Sequence, residues 1–195
     1  MACTGSNVLA DRLSESRSTS RDILWTVSFS LLTAVLAQIR IPLPYSPVPL
    51  TGQTFGVLLS GAVLGMRRGF ASQVLYLAAG AAGLPVFAGG GAGVAHLLGP
   101  TGGYLWAFPV AAGLLGRLVE LGASRRVWTL ALALFSADLL ILISGTVWLR
   151  SLIRVPLQDQ WRLGFFPFLA GDIVKIALLG LSLPRLLRRT HTSTA

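Results

Sequence analysis

Two ionisable residues interrupt a strongly apolar run late in the sequence. The segment FFPFLAGDIVKIALLGL places Asp172 and Lys175 three residues apart, a spacing that brings both side chains onto one face of a helix. An ionisable group at membrane depth costs about 2.5 to 3.5 kcal/mol on insertion scales, so such groups normally face a bundle interior or a wet cavity. The pair is the main candidate for a binding site. The alternative is an internal ion pair that merely lets the helix insert.

Lys175 is the single lysine in the sequence, where every other Lys/Arg position is an arginine. The compact ammonium of lysine suits one carboxylate oxygen or carbonyl in a tight pocket, whereas the planar guanidinium of arginine needs a wider binding site. Asp138 is a second acid within an apolar run. From the helical rise, Asp138 lies about 16 Å from Leu149 and Lys175 about 12 Å from Pro167, which are similar depths. Asp138 either balances the charge of Lys175 or forms hydrogen bonds with small residues between helices, and the sequence leaves both possibilities open.

Enzymatic patterns are missing from the sequence. A serine protease needs a serine paired with a buried histidine, but His96 falls in a loop, His191 in the C-terminal tail, and Ser144 lacks the expected glycine context. No phosphate-binding glycine loop and no metal-ligand cluster can be found. We therefore expect neither an enzyme nor a bound cofactor or metal.

The composition is that of a protein that lies in lipid. Hydrophobic residues make up 53% of the 195 residues and charged residues 12%, and the mean hydropathy is +0.71. A helix of roughly 20 apolar residues crosses a hydrocarbon core of about 30 Å, so this length allows about six crossings and no separate soluble domain. We expect a polar N-terminal tail over 1–21, a membrane domain over 22–189 and a short C-terminal tail over 190–195.

The elements that position the candidate residues are six predicted transmembrane helices, which make the fold class an all-α integral membrane protein. The second and third are short and rich in glycine, so tilted or broken helices are expected there. The apolar runs are Ile23–Ile39, Thr54–Met66, Phe70–Leu84, Tyr104–Leu121, Val127–Leu149 and Phe166–Leu187.

The arginines indicate how these helices are oriented. With both termini inside the cell, the cytoplasmic parts hold all the arginines except Arg40, Arg150, Arg154 and Arg162, which lie on the outer side. This bias predicts a multi-pass membrane protein with both termini cytoplasmic. The net charge of +9 is distributed beside the apolar runs rather than on one amphipathic face, so nucleic acid is not an expected partner.

Two segments on the predicted outer side have unusual compositions. Ile41–Gln53 contains four prolines, which prevent a helix, and Gly83–Gly103 is rich in glycine and carries no formal charge. One such loop could be a flexible connector. Two loops on the same face, with apolar residues such as Val86 and Leu97, predict lids that fold back over a ligand pocket.

Small residues form a stripe on the first helix. Ser30 and Ala34, and likewise Thr33 and Ala37, are four residues apart and therefore share a face. Such a stripe allows a close approach between helices. It either packs inside the bundle or forms a docking face for another membrane protein.

Four blocks of the sequence form a recognisable pattern when taken in order: VPLTGQTFGVLLSGAVLG from Val48, YLAAGAAGLPVFAGG from Tyr76, LLGPTGGY from Leu97 and FFPFLAGDIVK from Phe165. Together they resemble the BioY family of biotin transporters, which implies a location in a bacterial cell membrane. The resemblance implies the six-helix substrate-binding component of an energy-coupling factor (ECF) transporter, with biotin as ligand and a transmembrane coupling subunit and a pair of ATPases as partners. The alternatives are a component for another small vitamin and a structural membrane protein without a ligand.

The resemblance also implies roles for particular residues. The family's Asp-x-x-Lys corresponds to Asp172 and Lys175, and the glutamine that ends the first loop is Gln53. Our hypothesis is that Asp172 accepts from the urea N–H groups of biotin, Lys175 meets an anionic or carbonyl oxygen, and Gln53 closes the site. The matching blocks add four weaker candidates, namely Tyr104, Thr101, Phe87 and Tyr76. The family's alanine pair for docking to the coupling subunit is replaced here by the stripe of Ser30, Thr33, Ala34 and Ala37.

Overall fold

The computed structural model describes residues 19–154 and 157–189, and these form a helical bundle. The predicted C-terminal tail over 190–195, with His191, and residues 1–18 of the predicted N-terminal tail lie outside the described residues. The first helix begins at Thr19, inside the predicted tail. The helices are α1 Thr19–Gln38, α2 Gln53–Ala81, α3 Val94–Leu97, α4 Gly102–Glu120, α5 Val127–Ile153, α6 Leu157–Gly164 and α7 Phe166–Arg189.

The helix α2 is a hairpin of two arms that meet at Gly65. Gly65 has φ 79° and ψ −176°, a backbone conformation that is essentially restricted to glycine. The arms then run back along each other, since the Nε2 of Gln73 in the second arm donates to the Oγ of Ser60 in the first at 3.0 Å. With these two arms, α1, α4, α5 and α7 make up the six predicted helices.

Close backbone contacts around the hairpin depend on glycine. A Cβ on Gly61 would meet the backbone of Ala112 in α4, and one on Gly116 would meet the backbone of Gly65. The arms reach only about 18 and 24 Å at the helical rise of about 1.5 Å per residue, less than the thickness of a hydrocarbon core. The expectation of short, broken second and third helices is therefore confirmed, with the break at Gly65.

Contacts between helix ends divide the bundle into two ends. At one end, which we call the far end, Arg68 forms an ion pair with Asp22 at 3.5 Å, and Glu120 Oε1 accepts from the backbone N–H of Met66 at 2.8 Å. At the opposite end, which we call the pocket end, Trp148 Nε1 donates to the carbonyl of Gly99 at 3.0 Å. The six helical segments alternate in direction between the two ends.

Four helical segments among the described residues are long and apolar enough to cross a membrane: Thr19–Gln38, Gly102–Glu120, Val127–Ile153 and Asp159–Gly180. The apolar stretch of α4 is 72% buried inside the bundle, whereas that of α1 is 22% buried. The helix α4 is therefore central, while α1 turns a large apolar face outward. Exposed apolar residues of α1, such as Leu24, Leu31 and Val35, suit contact with lipid chains.

The two segments on the predicted outer side, 41–53 and 83–103, lie at the pocket end, and we call them the first and the second outer loop. Short elements order both. In the first loop, β1 Arg40–Ile41 pairs antiparallel with β2 Leu50–Thr51, and the prolines lie between the two strands. The second loop contains a 3₁₀ turn at Ala88–Gly90 and the one-turn helix α3. Gln38 fastens this loop to α1, because its Nε2 donates to the carbonyl of Phe87 at 3.3 Å and its Oε1 accepts from the N–H of Gly90 at 3.1 Å.

The small-residue stripe of α1 lies mainly inside the bundle. Ser30, Thr33 and Ala37 are buried, and Ala34 is half-buried. Thr33 packs against Gly56 of α2, and its hydroxyl accepts from Gln73 Nε2 at 3.2 Å. This burial agrees with the first alternative, packing within the bundle, and the docking role of the stripe stays a prediction.

Candidate functional site

A narrow pocket opens between the first outer loop, the first arm of α2, α4, α5 and α7. Its unfilled space is about 460 Å³ including the part open to solvent, and the room left for the centre of a water molecule is about 40 Å³. The lining residues are Val48, Pro49, Thr51, Gln53, Thr54, Ala88, Thr101, Tyr104, Leu105, Phe108, Leu142, Phe168, Asp172 and Lys175. Most of the lining surface is apolar, and the polar side chains come from four elements, namely β2, α2, the start of α4, and α7.

The ammonium of Lys175 uses all three of its N–H groups within the protein. It donates to Oδ1 of Asp172 at 2.8 Å, to Oγ1 of Thr54 at 2.7 Å and to the carbonyl of Thr51 at 2.9 Å. An ammonium has three donors, so this set satisfies it completely. Lys175 therefore ties the last helix to the first outer loop and to the start of α2.

The carboxylate of Asp172 is held on one oxygen and free on the other. Oδ1 accepts from Lys175 and also from the hydroxyl of Thr54 at 3.1 Å. Oδ2 is buried and has no hydrogen-bond partner among the described residues. A buried acceptor without a donor is costly, so this oxygen favours a ligand that brings an N–H or O–H group.

Gln53 is oriented by its neighbours on both sides. Its Oε1 accepts from the hydroxyl of Thr51 at 2.9 Å, and its Nε2 donates to the hydroxyl of Tyr76 at 2.6 Å. The hydroxyl of Tyr76 in turn donates to the carbonyl of Val86 at 3.1 Å. This chain of hydrogen bonds fixes the amide at the pocket wall and connects it to the second outer loop.

The apolar wall is built mainly by α4, with contributions from α5 and α7. Tyr104 directs its hydroxyl to the carbonyl of Gly164 at 2.6 Å, and its ring lies 5.7 Å from that of Phe168. The Tyr104 ring occupies the space beside Gly145, where a Cβ would overlap it. Leu105, Phe108 and Leu142 complete this side of the pocket.

Five of the seven candidate binding residues line this pocket: Asp172, Lys175, Gln53, Thr101 and Tyr104. Thr54 was missed as a candidate. Its signal in the sequence was its position directly after Gln53, at the start of a helix that follows a loop predicted to cover the site.

Tyr76 and Phe87 do not line this pocket, and a direct contact of either residue with a ligand stays a prediction. Each is fully buried, and their rings meet edge to face at 5.5 Å between centroids. Phe87 also lies against Gly80, where a Cβ would overlap its ring. The two residues form a support behind the wall that carries Gln53, because the second outer loop packs its aromatic residue inward instead of over the pocket.

His96 completes this support from the second outer loop, outside the membrane-spanning helices. Its ring stacks on Phe87 at 5.1 Å, and its Nε2 is buried without a hydrogen-bond partner among the described residues. Burial lowers the pKa of His96 from its ordinary value of 6.5, because removing the ring from water disfavours the charged form. The neutral ring is the form that fits this packing.

Comparison with known proteins gives a consistent result. The model of the family described as BioY matches residues 10–192. The chain is 42% identical over 159 residues to the Pyrococcus horikoshii protein named "Probable biotin transporter BioY", which covers 81% of this chain and 91% of that protein. It is 38% identical over 169 residues to the protein of Thermotoga maritima named "Biotin transporter BioY", which covers 85% and 97% respectively.

One solved structure resembles the whole bundle. It is described as a crystal structure of the S-component for biotin from an ECF-type ABC transporter, and it superposes with a TM-score of 0.82 at 25% sequence identity. The superposition covers 89% of this chain and 95% of the other. The predicted fold class, an all-helical membrane protein with six helices, is thereby confirmed.

Proposed function

The chain belongs to the BioY family, and on that basis we propose that it captures biotin in the pocket beside Asp172 and Lys175 and takes part in its uptake as the S component of an ECF-type transporter. It is a multi-pass membrane protein and a transporter component rather than an enzyme. The observation that carries the site assignment is the buried Oδ2 of Asp172, an acceptor without a donor among the described residues, in a mostly apolar pocket.

The chemistry of biotin fits these groups. Its urea ring offers two N–H donors and one carbonyl, its bicycle and chain are apolar, and its carboxylate is an anion. An apolar pocket with a few placed polar groups is the usual form of a small-molecule site. In our assignment, Asp172 Oδ2 accepts from a urea N–H, while Leu105, Phe108 and Phe168 pack on the apolar parts.

Lys175 enters this assignment as a group that exchanges partners. All three of its N–H groups are engaged by Thr51, Thr54 and Asp172. A ligand oxygen reaches the ammonium by replacing one of them, and the carbonyl of Thr51 belongs to the first outer loop. Ligand contact at Lys175 is therefore coupled to a movement of that loop.

Such a movement is also required by the size of the pocket. The room for a water centre is about 40 Å³, about three times the least that a single water needs. A bicyclic ligand with a side chain needs more space than this. We propose that the first outer loop moves away to admit biotin and closes after it has bound.

The pocket end faces the outside of the cell in this proposal, and both termini are cytoplasmic. The supporting observation is that Arg67, Arg68 and Arg117 lie near the contacts that define the far end, in keeping with the excess of basic residues on cytoplasmic loops. In a Cys3→Ser background, single cysteines at exposed Tyr45 and Trp128 test the orientation. An impermeant maleimide on intact cells should label position 45, and labelling of position 128 alone would reverse the assignment.

Energy for accumulation comes from partners in this proposal, namely a transmembrane coupling subunit and a pair of ATPases. The sequence contains no phosphate-binding loop, and capture alone cannot drive uptake against a gradient. Cells that lack every such module should not concentrate biotin through this protein. Strong accumulation in those cells would contradict the dependence, whereas entry down a gradient would not.

The ligand assignment is tested by titration in detergent. Biotin should bind saturably, and an analogue without the urea should bind at least about tenfold more weakly, because each unpaired buried polar group costs about 1 to 3 kcal/mol. Titration with thiamine and riboflavin tests the alternative that the protein binds another small vitamin. Mass spectrometry of the small molecule that co-purifies with the protein identifies its ligand independently, and equal affinity for biotin and the analogue would refute the assignment.

A further inference from the structure

Two exposed arginines lie in the last turns of α5, at the pocket end of the bundle. Arg150 and Arg154 belong to the four arginines on the predicted outer side, where basic residues are the minority. Of the other two, Arg40 packs its guanidinium against the second outer loop, and Arg162 shares a surface groove with Asp159. Arg150 and Arg154 are the pair for which these contacts within the protein give no purpose.

No carboxylate in the described part of the chain is paired with either arginine. The ion pairs found there involve other residues, and the segment 155–158 that follows the helix contains no acid in its sequence. The nearest acid along the chain is Asp159, on α6. The end of α5 therefore presents two positive charges without a carboxylate at ion-pair distance among the described residues.

A groove runs beside these arginines on the surface of α5. Its described lining residues are Val147, Arg150, Ser151 and Arg154, and its unfilled space is about 730 Å³ including the part open to the surroundings. Their spacings of three and four residues place them on one face of the helix. The small Ser151 leaves space between the arginines, and its hydroxyl donates to the carbonyl of Trp148 at 2.7 Å. One ligand lying in this groove is within reach of both guanidinium groups.

The same face of α5 is apolar below the groove. Its exposed apolar residues are Leu132, Phe135, Ile143 and Val147. At the opposite end of this face is Trp128, which is 82% exposed, and tryptophan is enriched at the surface of a membrane. The helix rises about 33 Å from Trp128 to Arg150, close to the thickness of a hydrocarbon core of about 30 Å. Arg150 and Arg154 therefore lie at the level of the lipid headgroups.

The chemistry of this face suits a phospholipid better than a free anion. A guanidinium binds phosphate through two parallel N–H···O bonds, and a headgroup phosphate lies at the level of the two arginines. The acyl chain of the same molecule has an apolar surface to pack on, beginning at Val147. A free phosphate ion meets the arginines in the same way but makes no use of the apolar face. Two positive charges without a paired carboxylate favour a headgroup of net negative charge.

We propose that Arg150 and Arg154 form a binding site for an anionic phospholipid in the leaflet at the pocket end, which is the outer leaflet in the orientation proposed above. The phosphate lies between the two guanidinium groups, and an acyl chain lies along Val147 and Ile143. The site is on the lipid-facing side of α5, outside the proposed biotin pocket, and it does not depend on which ligand that pocket takes.

The test is a titration of the delipidated full chain, purified in a neutral detergent, with phosphatidylglycerol, in which native mass spectrometry counts the bound lipid molecules. The first phosphatidylglycerol should bind at least about tenfold more weakly to the variant Arg150→Gln with Arg154→Gln, which loses two basic groups at the headgroup level. Arg40→Gln with Arg162→Gln removes the same charge from the same end and is the matched control. The control should bind phosphatidylglycerol as the wild type does, and monodisperse elution shows that both variants are folded.

Three results would overturn the inference. One is equally tight binding of phosphatidylcholine and phosphatidylglycerol to the wild-type protein, a comparison that needs no variant to fold. Another is equal binding of phosphatidylglycerol to the wild type and to Arg150→Gln with Arg154→Gln, which would leave the arginines the role of complementing the dipole of α5 at its C-terminal end. The third is displacement of the first phosphatidylglycerol by an equal concentration of inorganic phosphate, which would make the groove a site for free anions.

Discussion

Lys175 donates to Oδ1 of Asp172 at 2.8 Å, and this contact leaves Oδ2 of the same carboxylate as a buried acceptor without a donor among the described residues. The base thus orients the acid toward the pocket. Because the ammonium is also bonded to Thr51 and Thr54, it links ligand recognition to the position of the first outer loop. The predictions below separate these two roles.

Thr54 is predicted to be needed for the geometry of this pair. Its hydroxyl donates to Asp172 and accepts from Lys175, and Thr54→Val removes both bonds at nearly constant volume. We expect biotin affinity to fall by about 5- to 150-fold, since each buried group left unpaired costs about 1 to 3 kcal/mol. Thr26→Val is the matched control, because the hydroxyl of Thr26 bonds to a carbonyl of its own helix. Equal affinities of the two variants in calorimetry would contradict the role of Thr54.

Tyr76 is predicted to act through Gln53 rather than by touching the ligand. Tyr76→Phe removes the hydroxyl that accepts from Gln53 Nε2 at 2.6 Å but keeps the buried ring. Biotin affinity should fall in Tyr76→Phe. Adding Gln53→Leu to this variant should lower the affinity much less than Gln53→Leu does in the wild-type background. A double-mutant cycle measured by titration checks this coupling, and full additivity would show that the two residues act independently.

The support behind the pocket wall is predicted to depend on Gly80. A Cβ at this position would overlap the ring of Phe87, so Gly80→Ala should displace the second outer loop and lower the midpoint of thermal unfolding. Gly113→Ala is the control, because the nearest atom to its added Cβ is 3.5 Å away, an ordinary contact. The rate of amide hydrogen exchange in the second outer loop should rise in Gly80→Ala and remain unchanged in Gly113→Ala. A rate that rises in Gly113→Ala and not in Gly80→Ala would contradict this packing.

The second outer loop is predicted to loosen in acid through His96. Its pKa is lowered by burial from 6.5, so the opened loop binds a proton more readily than the closed one. Loop stability is therefore complete above about pH 6.5 and is lost as the pH falls toward and below the lowered value. The protection of the Gly93 N–H, which donates to the carbonyl of Gly80 at 2.7 Å, should fall in acid in the wild type when its hydrogen exchange is compared with the intrinsic rate at each pH. In His96→Gln this loss of protection should be absent, and its persistence would assign the effect to another group.

The sequence predicted the bundle well because apolar runs and charge placement are local signals. The Asp172 and Lys175 pair was visible for the same reason, as charges inside an apolar run. The boundary between the two arms of the hairpin was predicted at 67–69, between the runs Thr54–Met66 and Phe70–Leu84, whereas the break lies at Gly65. The arginines that interrupt the apolar pattern are a local signal, but the φ of a particular glycine is not. What could not be predicted are contacts between distant segments, such as the bond from Lys175 to Thr51, which lies 124 residues away.

The inward placement of Phe87 could not be predicted for a related reason. A loop rich in glycine and apolar residues predicts a lid, but the sequence does not say which side chains turn toward the ligand. The structure turns Phe87 inward, where Gly80 leaves room for its ring and Tyr76 and His96 contact it. The same limitation applies to the stripe on α1, since Thr33 and Ala37 are small enough both for packing and for docking.

The most direct test of the proposed site is biotin titration of the double variant Asp172→Leu with Lys175→Met. Replacing a buried ion pair by apolar residues is often neutral or stabilising for the fold, and monodisperse elution would show that the variant is folded. We predict a loss of affinity of at least about 100-fold, equivalent to about 2.8 kcal/mol. Asp159→Leu with Arg162→Met, the same change in an acid and a base three residues apart outside the pocket, should bind as the wild type does. A folded Asp172→Leu, Lys175→Met protein that binds biotin within a few fold of the wild type would contradict the account.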